Sequence, residues 1–373
     1  MSAPDLGAAA RLLDEAVAQG VIPGAVALVD IGGQIVLDHT TGDAQTTPVV
    51  RPVQPDTIYD LASLTKAIVT ATAIMILVDR GALHLRQRVV EILPEFAAHG
   101  KEDVHILHLL THTSGLPARN RVSRTASDAA ETVRLALGIY RGYPTGSREL
   151  YTDLGFLALG EVVSRVAGTP LDEFATAEIF GPLGMHDTGY NPNPDRRARC
   201  AATADAPHRG GVIVGEVHDD KAHLMNGVAG HAGIFGTAAD LIRFGRMLLN
   251  GGTLGGARIL SPAATEALTR NQTPHLHTAR GLAWALSPGP GFALDDLAGP
   301  RAFVHTGFTG TSIYLDPDEE MVAVLLTNRV HPSRDNRAYF GLHARFHNVI
   351  NASIQMRSSG FQRSQVTSTG SDS

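Results

Sequence analysis

The stretch that decides the fold is residues 63–78, which read SLTKAIVTATAIMILV. Its last twelve residues, Ala67 to Val78, form the most apolar segment of the chain. Twelve residues are too few to cross a bilayer, so the segment predicts a buried core helix. The helix is expected to begin near Ser63 and to end at Arg80-Gly81, where glycine can adopt the left-handed conformation of a helix C-terminus.

Ser63 and Lys66 lie three positions apart at the start of this helix, so the hydroxyl and the amine share one face and are expected to meet. An amine among apolar side chains loses hydration, so its pKa is expected to fall and the amine to act as the base that a serine nucleophile needs. The alternative is an N-cap serine beside a solvated lysine. Only three of the 31 basic residues are lysines, which argues against an interchangeable surface charge.

On either side of this helix, β-rich runs occur near both ends of the chain, and helical patterns fill the middle. Ala25–Asp30 and Gln34–His39 flank a Gly-Gly pair and predict a hairpin. Ala302–His305, Thr311–Leu315 and Met321–Leu326 predict three neighbouring antiparallel strands. Such an arrangement indicates an α+β fold whose terminal segments share one antiparallel sheet flanked by helices.

The predicted organisation has two subdomains and a tail. Residues 1–62 and 236–356 are expected to form the sheet subdomain, and a last helix runs from about Asp335 to Ile354. Residues 63–235 are expected to form a mostly helical subdomain that includes a long loop over 186–235. Residues 357–373, rich in Ser, Thr and Gln, are expected to be disordered.

Three motifs in chain order resemble those of the serine β-lactamases and penicillin-binding proteins. Ser63-Leu64-Thr65-Lys66 is similar to the first motif of that superfamily. Tyr151-Thr152-Asp153 resembles the Tyr-x-Asn element of the class C β-lactamase branch, which includes the family VIII carboxylesterases, and His305-Thr306-Gly307 resembles its Lys-Thr-Gly element. The likeness runs from about residue 20 to residue 350 and implies a β-lactamase/transpeptidase-like fold.

The resemblance also implies roles for individual residues. Ser63 would be the nucleophile that forms an acyl-enzyme, and Lys66 with Tyr151 would be the general base and then the acid. The backbone N–H groups of Ser63 and Phe308 would form the oxyanion hole. Four residues would bind substrate: Asp153, His305, Thr306 and Gly307, the last because a missing side chain leaves room for an acyl group.

Two departures from the pattern bear on the substrate. Asp153 replaces asparagine and removes the amide donor that would bind the acylamino carbonyl of a β-lactam. Its carboxylate can also hold Lys66 charged, which opposes the lowered pKa expected above and leaves the balance open. His305 replaces a lysine and weakens the attraction for an anionic substrate at neutral pH. Together the two changes favour a neutral ester.

The sequence therefore predicts a serine hydrolase that cleaves short-chain carboxylic esters, with a small-molecule ester or amide as substrate. One alternative is a β-lactamase, DD-peptidase or D-aminopeptidase. Another, of a different class, is a catalytically silent protein that binds cell-wall fragments. The resemblance implies neither a metal nor an organic cofactor, and the oligomeric state is not predicted.

Two histidine-containing clusters raise the possibility of a metal site. The first contains His105, His108 and His112 at helical spacing, and structural histidines are the favoured interpretation. The second resembles a segment found in many members of the class C branch, and the resemblance implies that it lines or shapes the wall of the cleft, with a metal as the lesser alternative. Its members are His218, Asp219, His223 and His231.

The composition of the chain excludes several classes of protein. Hydrophobic residues make up 43% of the 373 residues and charged residues 18%, which is enough apolar matter for a large core. The net charge of −6 and the absence of a long basic run argue against nucleic-acid binding. No secretory pattern or membrane span is evident, so a cytoplasmic protein is expected.

Overall fold

The computed structural model describes residues 4–287, 295–336, 338–339 and 341–354. The predicted tail, 357–373, lies outside the described residues, as do residues 355 and 356 of the predicted sheet subdomain. The strands found in the described ranges are β1 (Gly24–Ile31), β2 (Gln34–Gln45), β3 (Arg51–Pro52), β4 (Tyr59–Asp60), β5 (Gly189–Tyr190), β6 (Ala202–Ala206), β7 (Gly211–Val214), β8 (Ile234–Gly236), β9 (Thr253–Leu254), β10 (Ala257–Arg258), β11 (Ala285–Leu286), β12 (Phe303–Gly307), β13 (Thr311–Asp316) and β14 (Met321–Thr327).

Both ends of the chain build one seven-stranded antiparallel sheet, in the order β11-β12-β13-β14-β1-β2-β3. The junction is the pairing of β1 with β14, from Ala25 opposite Thr327 to Ile31 opposite Met321. The β1–β2 hairpin turns at Gly32 and Gly33, which have φ angles of 60° and 85°. Two successive positive φ angles are what a tight hairpin requires, and glycine adopts them without strain. The predicted α+β fold, hairpin and three-strand group are confirmed.

Both faces of this sheet are covered, because side chains alternate between two cores along each strand. Along β1, Val26 and Leu28 enter the larger core, whereas Ala27 and Val29 enter the smaller one. The smaller core is closed by the N-terminal helix and by residues 341–354, and the larger core continues into the helical part of the chain.

The helices surround the sheet and fill the middle of the chain. They are α1 (Gly7–Ala18), α2 (π-helical Lys66–Ala71 continued by α-helical Thr72–Asp79), α3 (Ile106–Leu110), α4 (Val122–Thr125), α5 (Ala129–Leu137), α6 (Asp153–Ala167), α7 (Leu171–Ala175, continued by π-helical Thr176–Phe180), α8 (Gly181–Leu183), α9 (Pro194–Ala198), α10 (Asp220–Leu224), α11 (Ala238–Leu249), α12 (Pro262–Thr269) and α13 (341–354). Three short 3₁₀ turns lie at Val89–Glu91, Pro94–Ala97 and Pro207–Arg209.

Helix α2 is the predicted core helix. Every residue from Lys66 to Leu77 is buried, and the helix ends at Arg80-Gly81 with Gly81 at φ 69°, as expected. The last helix starts later than predicted, because Asp335 lies in a turn and the described helical residues are 341–354.

The predicted long loop over 186–235 is wrong in its secondary structure. It contains strands β5 to β7, most of β8, and helices α9 and α10. Long-range contacts hold these short elements in place. For example, the buried Asp60 carboxylate accepts a 2.7 Å hydrogen bond from the backbone N–H of His218. Strand β8 also pairs with both β4 and β5.

No single helix among the described residues is long and apolar enough to span a membrane. Helix α6 and the helical run Leu171–Leu183 reach that length and composition only together, and they are bent by 78° relative to each other.

Buried histidines make the fold sensitive to acid. His347 on α13 stacks on Tyr314 with ring centroids 5.0 Å apart, and its ring nitrogens make no hydrogen bond with any described residue. Burial lowers the pKa of His347 to about 3, and burial is also the main reason that the pKa of His305 is lowered to about 3. In the unfolded chain both rings titrate near 6.5, so between these values the unfolded state binds more protons and the folded state loses stability as the pH falls.

We therefore expect the free energy of unfolding to fall between pH 7 and pH 5 by about 2 kcal/mol for each such ring. Urea unfolding at both pH values measures this loss. The substitution His347→Phe keeps an aromatic ring against Tyr314, and it should make the loss smaller by about 2 kcal/mol. The matched control is His84→Phe at an exposed histidine, which should leave the loss unchanged. Equal pH dependence in the two variants would contradict the expectation.

Candidate active site

Ser63 lies at the start of α2, next to a strained backbone position. Ala62 adopts φ 47°, a left-handed conformation that is uncommon for a residue with a side chain. Two hydrogen bonds hold this turn: the N–H of Ala62 donates to Asp60 Oδ1 at 2.8 Å, and the N–H of Leu61 donates to the carbonyl of Ile234 at 3.0 Å. The turn presents Ser63 to a cleft of about 780 Å³.

Lys66 lies one turn along α2 and is fully buried. Its ammonium donates to Ser63 Oγ at 3.0 Å, to Asp153 Oδ1 at 2.9 Å and to the backbone carbonyl of His231 at 3.1 Å. The structure therefore brings the predicted nucleophile and the predicted base into contact. These three acceptors match the three N–H donors of an ammonium group.

The expected fall in the pKa of Lys66 is wrong. Burial does disfavour the charged form, but the Asp153 carboxylate and the Tyr151 phenol together outweigh it, and the pKa of Lys66 is raised. The same contacts act on the partner. Burial raises the pKa of Asp153, but Lys66, His231 and Lys221 lower it more, so the carboxyl is ionised. In the free protein Lys66 and Asp153 thus form an ion pair in which the ammonium is buried and the carboxylate is partly exposed to the cleft.

Tyr151, Thr152 and Asp153 are held at the N-terminus of α6. Thr152 is its N-cap: its hydroxyl accepts from the N–H of Leu154 at 3.3 Å and donates to the carbonyl of Pro117 at 2.9 Å. The backbone N–H of Thr152 donates to Nδ1 of His112 at 3.2 Å. The His112 ring also packs on Tyr151, with centroids 4.4 Å apart.

His112 is therefore a support for the Tyr151 motif. Burial lowers its pKa well below the ordinary value, so the ring is neutral and Nδ1 can accept. This places His112 in a structural role, as the sequence favoured. The Tyr151 ring centroid lies 4.9 Å from Lys66 Nζ, so the phenol, the ammonium and the serine meet in one place.

A second lysine, which the motifs did not reveal, completes the polar floor of the cleft. Lys221 on α10 donates to Asp153 Oδ2 at 3.1 Å and to Asp219 Oδ2 at 3.2 Å. Asp219 in turn accepts from Nε2 of His231 at 2.9 Å. Lys221 is separated from Lys66 by 155 positions, so no local spacing links them. The signal that could have found it is the scarcity of lysine in the chain.

The second histidine-containing cluster does line the cleft in part. His218, Asp219 and His231 border it, whereas His223 contacts Arg209. Asp153, Asp219 and His231 also bring one ligand atom each to within 4.8 Å of one another, close enough for a metal. However, each oxygen of Asp153 already accepts from an ammonium group. The two lysines thus stand where a cation would bind.

The first histidine cluster divides into separate contacts. His105 and His108 stack with centroids 5.1 Å apart, and Nδ1 of His108 accepts from the N–H of His105 at the start of α3. His112 instead supports the Tyr151 motif. These contacts account for all three rings as structural groups.

The opposite wall of the cleft is the end of β12. Neither the N–H of Ser63 nor that of Phe308 donates a hydrogen bond to any described residue. Gly307 lies against Leu61 in the turn before Ser63: a Cβ atom there would stand 2.5 Å from the carbonyl oxygen of Leu61 and would clash with Thr311 Oγ1. The close approach of β12 to the Ser63 turn therefore requires glycine at this position. The room that it leaves for an acyl group stays a prediction.

His305 and Thr306 also border the cleft, but His305 carries no positive charge. It is buried, and burial together with the charges of Lys66 and Arg280 lowers its pKa to about 3. Positive charge nearby comes instead from Arg280 and Arg329. Arg280 pairs with Glu149 at 2.9 Å, and Arg329 stacks over Phe308 at 4.5 Å from the ring centroid.

Loss of the shared carboxylate should destabilise the protein. Asp153→Asn leaves two ammonium groups facing an amide, so we expect the free energy of unfolding at pH 7 to fall by about 3 kcal/mol. The control is Asp220→Asn, which alters a carboxylate that lines the same cleft and pairs with no cation in the described ranges. It should cost less than about 0.5 kcal/mol. Urea unfolding of both variants measures the difference, and similar losses would contradict the role assigned to Asp153.

Comparison with known proteins agrees with this arrangement. The sequence matches the family described as Beta-lactamase over residues 9–346. A relative from Escherichia coli (strain K12), named "Putative D-alanyl-D-alanine carboxypeptidase", is 32% identical over 304 residues, which is 74% of this chain and 70% of that protein.

Solved structures share the fold at lower identity. "EstCE1, a hydrolase with promiscuous acyltransferase activity" has a TM-score of 0.73 at 22% identity, covering 94% of this chain and 98% of that one. A class C beta-lactamase from Rhodobacter sphaeroides has a TM-score of 0.69 at 22% identity, covering 90% of this chain and 97% of that one. On the family match and the Escherichia coli relative, the chain belongs to the beta-lactamase family of serine hydrolases.

Proposed function

We propose that the protein hydrolyses short-chain carboxylic esters through an acyl-enzyme on Ser63. The observation that carries the proposal is the 3.0 Å hydrogen bond between Lys66 and Ser63, formed by a buried ammonium at the floor of an open cleft. A serine hydroxyl needs a proton acceptor to attack a carbonyl, and a buried lysine beside a tyrosine at the surface of the cleft can hold and pass one proton.

In the proposed reaction, Lys66 and Tyr151 act as one acid–base unit. With both groups protonated the unit cannot accept the Ser63 proton, so it must first release one proton. Ser63 Oγ then attacks the ester carbonyl, its proton passes to the unit, and the unit protonates the departing alcohol. A water molecule then attacks the acyl-enzyme, its proton passes to the unit, and the unit returns a proton to Ser63 Oγ as the acid departs.

The N–H groups of Ser63 and Phe308 would hold the negative charge that develops on the carbonyl oxygen. Both are free of hydrogen bonds to described residues, so they have donors to offer. Backbone donors fixed in advance are the most effective stabilisers of such a charge. Gly307 supports this arrangement, because it lets the strand approach the Ser63 turn.

An ester is favoured over a β-lactam because Asp153 offers no hydrogen-bond donor to the substrate and His305 offers no positive charge. Both oxygens of Asp153 are occupied by ammonium groups, and it has no N–H for an acylamino carbonyl. His305 is neutral and offers no fixed charge to a carboxylate. The acylamino carbonyl of a β-lactam would therefore be buried without a donor from Asp153, at about 1–3 kcal/mol, and its carboxylate would find no charge at His305.

A D-alanyl-D-alanine peptidase is the second candidate. The Escherichia coli relative carries that name, and Arg280 and Arg329 present guanidinium groups to the cleft. A guanidinium binds a carboxylate well through two parallel hydrogen bonds. Arg280, however, already pairs with Glu149 in a nearly buried contact, which makes it a weaker attraction for a second carboxylate.

The nucleophile can be tested without knowing the substrate. A fluorophosphonate should add to the wild-type protein once, as measured by intact mass, and Ser63→Ala should abolish the adduct and reduce ester turnover by about 10³-fold or more. Ser123→Ala is the matched control, because Ser123 lines the same cleft and should not be needed. An unlabelled wild-type protein would instead support the catalytically silent binding protein.

The substrate class follows from one comparison on a single preparation. We expect kcat/KM for nitrophenyl acetate and butyrate to exceed that for a chromogenic cephalosporin by about 100-fold, because the acylamino group of the cephalosporin lacks a donor at Asp153 and its carboxylate lacks a charge at His305. An N-acyl-D-alanyl-D-alanine peptide serves as the third substrate. A higher value for the peptide would favour the peptidase, and one for the cephalosporin the β-lactamase.

A further inference from the structure

We propose that Lys221 is a positioning residue of the same reaction: it shares Asp153 with Lys66, and this sharing lets the Lys66–Tyr151 unit release a proton while Asp153 stays ionised. The inference rests on the proposed function, because it explains how that unit becomes a base. None of the sequence motifs contains Lys221.

The geometry is a bridge made by one carboxylate. Asp153 Oδ1 accepts from Lys66 at 2.9 Å, and Asp153 Oδ2 accepts from Lys221 at 3.1 Å. The three residues come from α2, α6 and α10, so the contact is made only in the folded protein. Lys221 is anchored on its other side by Asp219, whose carboxylate also caps α10.

The bridge gives Asp153 two positively charged partners instead of one. With Lys66 charged, two ammonium groups face two carboxylates, Asp153 and Asp219. If Lys66 were the sole cation on Asp153, loss of a proton from the base unit would leave a largely buried carboxylate without a counter-charge, which is costly. With Lys221 in place, Asp153 keeps an ammonium partner at 3.1 Å throughout. A nearby like charge also favours the neutral form of a lysine.

Among the other groups around Lys66, His231 also lowers the pKa of Asp153, but its ring donates to Asp219, whereas Lys221 donates directly to Asp153. The rings of His112 and His305 are neutral, because burial lowers the pKa of each. Arg280 is engaged by Glu149. The titratable or charged groups that face the two lysines from the surrounding elements are Tyr151, Asp153, His112, Arg280, His305, His218, Asp219, Asp220 and His231.

Residue choice supports a specific role for Lys221. The chain uses arginine for nearly all of its basic positions, and Lys221 is one of three exceptions. Its side chain is 13% exposed, at the floor of the cleft. A compact ammonium can sit between two carboxylates, where the wide planar guanidinium is a poorer fit.

The test is the pH dependence of Ser63 labelling. The second-order rate constant for reaction with a fluorophosphonate is measured from pH 5 to pH 10, and the midpoint of its acidic limb reports the proton that the base unit must release. Lys221→Met and Lys221→Gln should raise this midpoint by about one unit or more. Lys221→Arg, which keeps the charge but fits less well between the two carboxylates, should restore the midpoint in part. Asp153→Asn should lower it.

Two controls separate this effect from a loss of folding. Lys101→Met removes a buried lysine outside the cleft, and it should leave the midpoint unchanged even where it lowers the thermal stability. Lys221→Met in an Asp153→Asn background should shift the midpoint less than it does alone, because Lys221 acts through Asp153. If Lys221→Met does not fold, Lys221→Gln, which keeps hydrogen-bond donors, decides the question.

The outcomes distinguish the two proposals. Labelling of Ser63 with an unshifted midpoint in the Lys221 variants would overturn the inference and leave the proposed function standing. A shift of equal size with and without Asp153 would overturn it as well. Failure of the wild-type protein to be labelled at Ser63 would remove the proposed function and the inference together.

Discussion

The structure of the site depends on one buried ammonium group, that of Lys66. A charge removed from water must be paired and hydrogen-bonded, and Lys66 meets this demand through Ser63, Asp153 and the carbonyl of His231. These partners come from the start of α2, the start of α6 and the segment before β8. The convergence of three chain segments that lie far apart in sequence is therefore an electrostatic requirement as well as a matter of packing.

The same requirement connects the helical region to the sheet. Ser63 follows the strained turn at Ala62, and that turn is in contact with β8 through Leu61 and with β12 through the close approach of Gly307. The N–H of Phe308 is thereby fixed relative to the serine. The proposed acid–base groups lie at the start of α2 and just before α6, and the proposed oxyanion donors lie in a turn and at a strand end, so the site forms only where the two parts of the chain meet.

The strands, the hairpin and the contact between Ser63 and Lys66 could be predicted from the sequence, because each depends on residues that are close together in the chain. Alternation of apolar residues predicted the strands at both ends, the Gly32-Gly33 pair predicted the hairpin, and the spacing of Ser63 and Lys66 predicted their contact. The short elements between 186 and 235 were missed, because contacts such as that between Asp60 and His218 define them rather than any period. Lys221 was missed for the same reason, since only the folded chain brings it to Asp153.

The pKa of Lys66 could not be predicted from its neighbours in the chain, as a comparison with Lys101 shows. Both lysines are fully buried, and in the part of the chain that the structure describes Lys101 donates only to the backbone carbonyls of Leu137 and Ile139. Burial lowers the pKa of Lys101 to about 8, whereas the pKa of Lys66 is raised. The apolar helix therefore does not set the charge of Lys66; the carboxylate of Asp153 does. Because one carboxylate holds the ammonium so firmly, the proposed catalysis by the pair calls for a second cation on that carboxylate, and Lys221 is in contact with it.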